Sequence, residues 1–221
     1  VGIIIGILDA TPIARDFSAV IASLVESNLL LALLGIMSVS LLLGMGVPSV
    51  VCYLLVATLM GDILNGLGVD PLAAHMFIFY FGMMSMVTPP VALAAYASAS
   101  IAEAPIMRTA FASFRFSLVG FTLPFMFIYR PALLLMGENG NALDWIDVAT
   151  ATTSAMFGVV ALSAAVTGYL RSNLNAGYRA LLFLSALLLL APNLGGPTIG
   201  LIINSVGAIL LAMIAVLNKP N

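Results

Sequence analysis

The chain has 221 residues, 62% of them hydrophobic and 7% charged, with a mean hydropathy of +1.19 and a formal net charge of −2. A soluble domain carries about 25% charged residues, so this composition excludes a soluble globular domain, a disordered tail and a nucleic-acid binder that relies on a basic patch. What remains is an all-α integral membrane protein, and its lone Cys52 offers neither a disulfide framework nor a cysteine-based metal site.

The chain opens on an apolar run over residues 1–8. It is too short to cross a bilayer and has no basic region or cleavage site of a signal peptide. It reads as the end of a membrane helix, and the chain as the C-terminal portion of a longer protein. Residues 11–28 follow, with Phe17, Val20, Ile21, Leu24 and Val25 at helical spacing among Arg15, Asp16 and Glu26. That pattern predicts a helix lying along the membrane surface, with a loop holding a few helical turns as the alternative. Residues 1–27 thus form a helix end and an interfacial arm.

A transmembrane helix needs about 20 apolar residues, and the next runs fall short in an informative way. Residues 29–43 give about 22–24 Å of helix and residues 49–60 about 18 Å. Between them stands Gly44-Met45-Gly46-Val47-Pro48, where glycine freedom and the missing proline N–H break a helix. Residues 28–62 are therefore expected to form a re-entrant hairpin, with one long kinked helix as the alternative. Residues 71–104 carry a second interruption at Thr88-Pro89-Pro90. Two prolines remove two donors, and such a break survives in a membrane only inside protein or along a cavity. This stretch is expected to be a discontinuous transmembrane helix. Residues 105–136 would close the unit with a span over 117–136. Three further helices within residues 145–221 would cover 145–170, 178–191 and 198–217, giving about four ordinary spans.

Basic residues of short loops gather on the cytoplasmic side. Arg108, Arg115, Arg171, Arg179 and Lys219 all fall on one side of this topology. Glu138, Asp144 and Asp147 fall on the other. The hairpin then enters from the external face. Arg130, near the outer end of its span, is expected to snorkel to the headgroups.

Catalytic chemistry finds no foothold, since the spans hold no paired carboxylates, no His–Glu pair and no Gly-x-Ser-x-Gly. His75 reads either as a proton carrier or as a polar residue hydrogen-bonded near the interface. What the breaks supply is backbone. Unwound carbonyls and half-helix C-terminal ends bind hard cations such as Na⁺, and half-helix N-termini face anionic groups. A pair of broken helices is the best sequence pointer to a transporter site. The candidate Na⁺ ligands are Gly44, Gly46, Val47, Pro48, Ser85, Thr88 and Pro89, and the candidate substrate contacts are Ser49 and Pro90. The hydroxyls of Ser49 and Thr88 have an alternative role as caps of the second half-helices.

Gly44-Met45-Gly46-Val47-Pro48, Tyr53, Ala74-His75-Met76-Phe77-Ile78-Phe79-Tyr80-Phe81 and the run from Ser85-Met86-Val87-Thr88-Pro89-Pro90 through Val91-Ala92-Leu93-Ala94-Ala95-Tyr96 resemble the large membrane subunit of tripartite ATP-independent periplasmic (TRAP) transporters. The similarity extends to the fused permease of the TAXI subtype, through Pro124-Phe125-Met126-Phe127-Ile128-Tyr129 and the trailing helical pair. It covers residues 28–136 well and the remainder loosely. Ala10-Thr11-Pro12-Ile13 and Asp62 depart from the family pattern, away from the breaks. The resemblance implies the second inverted repeat of an elevator-type secondary transporter in the bacterial inner membrane. Such a transporter uses Na⁺ as coupling ion, needs no other cofactor, and imports a small organic anion delivered by a periplasmic TAXI-type binding protein. The bilayer is its other partner, and nucleic acid is not one. An ion- or proton-coupled transporter or channel of another family is the alternative.

Overall fold

The computed structural model describes residues 28–137, 142–191 and 197–218, with a few isolated positions before residue 28. The interfacial arm expected within residues 1–27 therefore lies almost wholly outside the described residues. The chain divides into two compact units, Val1–Ser117 and Leu118–Asn221. Among the described residues the regular structure is helical, with no strand, as an all-α membrane protein requires. Among the described residues, three stretches are by length and composition able to cross a membrane: Ile106–Tyr129 with 24 residues, Trp145–Thr167 with 23 and Ile199–Leu217 with 19.

The first unit begins with α1 (Leu29–Gly44) and α2 (Ser49–Gly66), joined by residues 45–48. Asn28 caps α1, its side chain accepting from the Leu30 N–H at 2.8 Å. The short connection makes the pair antiparallel neighbours, and the Cys52 thiol donates across it to the Ser40 carbonyl at 3.2 Å. α2 runs past the expected end at residue 60, because a glycine inside a helix costs only about 1 kcal/mol and Gly61 does not stop it. Next comes α3 (Pro71–Met84), with Asp70 accepting from the Leu72 N–H at 2.8 Å and Pro71 in the first turn, where its missing N–H is harmless. A 3₁₀ turn (Ser85–Val87), α4 (Leu93–Ile101) and α5 (Ile106–Ser117) complete the unit. α1 and α2 both pack on α3. Leu33 and Ile36 of α1, Val56 and Met60 of α2, and Phe77, Ile78 and Phe81 of α3 are fully buried.

The second unit holds α6 (Thr122–Tyr129), a 3₁₀ turn (Pro131–Leu134), α7 (Trp145–Thr167), α8 (Ala176–Leu190) and α9 (Pro197–Leu217). α8 packs against both α7 and α9. With 15 residues it is shorter than a comfortable span. α7 buries mainly small residues, among them Ala151, Ser154, Ala155, Gly158, Ala161 and Ala165, the pattern that lets membrane helices approach closely. Gly168 ends α7 at φ +78, a left-handed conformation that glycine adopts without a Cβ penalty. Arg179 reaches back from α8, its Nε donating to the Ala165 carbonyl at 2.9 Å, and so satisfies an orphan acceptor of that helix end.

Two expectations need correction. The apolar stretch that overlaps the expected span over 117–136 runs from Ile106 to Tyr129 and holds Arg108 and Arg115, and the rest of that expected span, from Arg130 on, leaves the helix for a 3₁₀ turn over Pro131–Leu134. Both arginines are exposed, and a long aliphatic stem lets the charge reach headgroups from within an apolar helix. Arg130 does not snorkel: it is only 6% exposed, and its Nη1 donates to Ser154 Oγ at 2.5 Å. The chain leaves α6 at Arg130 with φ −139 and ψ 76, which turns the guanidinium inward onto α7, where a hydroxyl accepts from it.

Contact between α8 and α9 sets a first test. A Cβ on Gly207 would stand 2.8 Å from Leu189 Cγ and 3.1 Å from the Ser185 carbonyl, and Ser185 Oγ donates to the Gly207 carbonyl at 2.7 Å. Gly207→Val is expected to lower stability by about 1–3 kcal/mol through overpacking. Thermal melting of the detergent-solubilised protein checks this.

Candidate functional site

The site is built by the two helix interruptions. In the first, the Met45 N–H bonds the Leu42 carbonyl at 3.4 Å as α1 ends. The Pro48 carbonyl then accepts from the N–H groups of Val51 and Cys52 at 2.9 and 3.1 Å, opening α2. In the second, the Thr88 N–H bonds the Ser85 carbonyl at 3.2 Å, and the Ala92 N–H bonds the Thr88 carbonyl at 3.1 Å. Pro89 and Pro90, linked by a cis peptide bond, stand between them and offer no N–H. Ala92 opens α4 at φ 40 and ψ 53. This left-handed conformation costs a residue with a Cβ about 1–2 kcal/mol, and such strain collects at functional sites.

The interruptions meet. Gly44, the last residue of α1, is buried, and a Cβ there would overlap Ser85 Oγ and stand 2.6 Å from Ser85 Cβ and 3.1 Å from Cys52 Sγ. Gly82, one turn before Ser85, admits α2 in the same way. Its Cβ position lies 3.5 Å from Cys52 Sγ, 3.6 Å from the Ser49 carbonyl and 3.7 Å from the Tyr53 nitrogen. The two glycines therefore bring α1, α2 and the end of α3 to one crossing point.

The helix polarities at this point decide its electrostatics. Gly44 closes α1 and Ser85 closes α3. Two C-terminal ends thus converge, each carrying about half a negative charge. The start of α2 comes in with the opposite sign. Convergence of two negative ends favours a cation between or beside them.

Side-chain oxygens are arranged to suit. Ser85 is 1% exposed and its Oγ donates to the Gly82 carbonyl at 2.6 Å. Thr88 is 8% exposed and its Oγ1 donates to the Met84 carbonyl at 2.7 Å. A hydroxyl whose proton is committed to a carbonyl keeps its lone pairs for a further acceptor role. Thr88 does not cap α4, because the residue at that cap is Ala92, which makes no side-chain cap hydrogen bond. Among the described residues there is no group of three or more His, Cys, Asp or Glu able to hold a metal. Any ion here would be held by carbonyls and hydroxyls.

Of the residues singled out from the sequence, Gly44, Ser49 and Ser85 come together at the crossing. Gly46, Val47 and Pro48 form the connection itself, with Gly46 and Pro48 exposed. Pro89 is half-buried and Pro90 exposed. Sequence reasoning missed Gly82 and Cys52. Gly82 carried a usable signal, since a glycine inside an apolar helix is destabilising unless something approaches closely. His75 takes the hydrogen-bonded place foreseen as one of its two readings: its Nδ1 lies 3.2 Å from the Tyr53 hydroxyl, across α2 and α3.

The family model of the tripartite ATP-independent periplasmic transporter, DctM component, matches residues 1–140. The chain belongs to this family. Comparison with curated proteins and with solved structures yields no significant match. The protein is therefore the membrane component of a TRAP transporter, and both helix interruptions lie inside the matched region. This is a transporter family, and the site described above is made of backbone, hydroxyls and glycines.

Proposed function

We propose that this TRAP component is a multi-pass permease of the bacterial inner membrane that couples Na⁺ entry to the import of a small organic anion. A periplasmic substrate-binding protein, of the TAXI type, hands the anion to it. The observation that carries this reading is the convergence of two helix C-terminal ends at Gly44 and Ser85. The Na⁺ ligands are drawn from Gly44, Gly46, Val47, Pro48, Ser85, Thr88 and Pro89. The adjoining N-terminal end of α2, at Ser49, together with Pro90 faces the anionic group. Helices α1 to α4 act as a hairpin and a discontinuous helix, the second repeat of an elevator-type carrier. Na⁺ is the only ion required, and no organic cofactor takes part.

Uptake by the intact permease in proteoliposomes, with its binding protein and a panel of carboxylates, tests this. An inward Na⁺ gradient should drive accumulation of at least one organic anion, and K⁺ or a pH gradient should not replace it. Accumulation that follows a proton gradient alone would overturn the Na⁺ assignment.

A further inference from the structure

Tyr53 lies along one stripe of α3. Its backbone nitrogen is 3.7 Å from the Cβ position of Gly82. Its ring meets Phe79 edge-on at 5.7 Å between centroids and His75 at 6.0 Å. Its hydroxyl stands 3.2 Å from His75 Nδ1. Residues 75, 79 and 82 are spaced i, i+4 and i+7, so they form one row on the helix surface. The glycine notch fixes how closely α2 approaches α3. Sliding of α2 along the row is limited by the interdigitation of side chains, to which a directional contact adds. The hydroxyl–imidazole bond is directional and lies toward the far end of the row, so it resists that sliding.

Sliding matters at the adjoining first turn of α2. The first turn of α2 carries Ser49 and Cys52. Cys52 touches both Gly82 and the Gly44 position, and its thiol bonds the Ser40 carbonyl of α1 at 3.2 Å. A shift of α2 therefore moves α1 against Ser85, where the gap is already closed to anything larger than glycine.

We propose that Tyr53 and His75 form a positioning pair that sets the register of α2 on α3 and so the spacing of the cation site between Gly44 and Ser85. Neither residue touches the ion. The pair acts through Ser49, Cys52 and Gly44. This holds whichever of the two partners donates the proton. The proposal rests on the Na⁺-site reading above and adds to it a residue pair whose His75 stands nearly three helical turns before Ser85.

The test is a double-mutant cycle on the intact permease, reading the Na⁺ concentration for half-maximal uptake separately from the maximal rate. Tyr53→Phe keeps the ring contacts and removes the hydroxyl. His75→Leu keeps bulk and removes Nδ1, and His75→Asn keeps a polar atom close to the Nδ1 position. Tyr53→Phe and His75→Leu should each raise half-saturation roughly three- to tenfold, the size of one net hydrogen bond. The maximal rate per inserted molecule should stay nearly constant. The double variant should be no worse than either single, and His75→Asn should restore half-saturation to within about twofold. Unchanged Na⁺ dependence in Tyr53→Phe, or additive effects in the double variant, would overturn the pairing. Thr88→Val is measured beside them: if it shifts half-saturation while Tyr53→Phe does not, the positioning role alone fails. If uptake by the unaltered permease shows no Na⁺ dependence, the site reading fails and the proposal with it.

Discussion

Gly44→Ala is expected to reduce Na⁺-driven uptake about 10- to 100-fold while the protein still inserts. The added methyl would overlap Ser85 Oγ and stand 2.6 Å from Ser85 Cβ, a residue only 1% exposed and tied to the Gly82 carbonyl. Overpacking of this kind costs about 1–3 kcal/mol. The strain falls on the point where α1 and α3 end, so it is relieved by separating the two interruptions rather than by turning a distant side chain. A companion variant separates packing from ligation. Ser85→Gly introduced into Gly44→Ala removes the clash and should restore melting temperature. Uptake should stay low, because the hydroxyl is gone. Recovery of full Na⁺-dependent uptake in that double variant would mean that Ser85 contributes no ligand. Gly66→Ala serves as a control, since a Cβ there meets nothing within 4 Å. It should leave both melting and uptake unchanged.

The contrast between Gly44 and Gly82 shows how much of this site could be read from the chain. The helix interruptions were legible because their causes are local: glycines and a proline at residues 44–48 and a proline pair at 89–90 act through their own backbone. The meeting of these interruptions was not legible. It depends on the contact of Gly82 with Ser49, Cys52 and Tyr53, residues far from it in the chain that become its partners only once α2 lies on α3. The same divide separates the helix starts from the helix ends. Asp70 before Pro71, and Asp144 before Trp145, announce their helices by cap chemistry. The end of α2 past Gly61 was not announced in this way, because one glycine costs a helix only about 1 kcal/mol and does not stop it. Arg130 makes the point most sharply. Its position near a span end predicts a headgroup contact, yet one backbone turn and a hydroxyl on α7 draw it inward.

Thr88→Val is expected to raise the Na⁺ concentration for half-maximal uptake by about tenfold or more, and Thr88→Ser should stay close to the unaltered protein. Valine keeps the branched shape of threonine and removes its oxygen, so packing at this 8%-exposed position is conserved. Two separate losses follow from that one atom. The first is the hydrogen bond to the Met84 carbonyl at 2.7 Å, a stability effect of about 0.5–1.5 kcal/mol that would lower the melting temperature. The second is a Na⁺ ligand, and a loss of about 1.4 kcal/mol in binding is a factor of ten in half-saturation. The measurements divide them. A purely structural hydroxyl predicts a lower melting temperature with unchanged Na⁺ affinity in the molecules that survive. A ligand predicts, in addition, that Na⁺ protects the unaltered protein against thermal unfolding and protects Thr88→Val far less, because a ligand stabilises the folded state in proportion to how tightly it binds. Since Thr88 makes no cap to α4 and its proton is already committed to Met84, its remaining lone pairs are the feature that valine removes. Wild-type Na⁺ protection in the purified, intact Thr88→Val permease would remove Thr88 from the site.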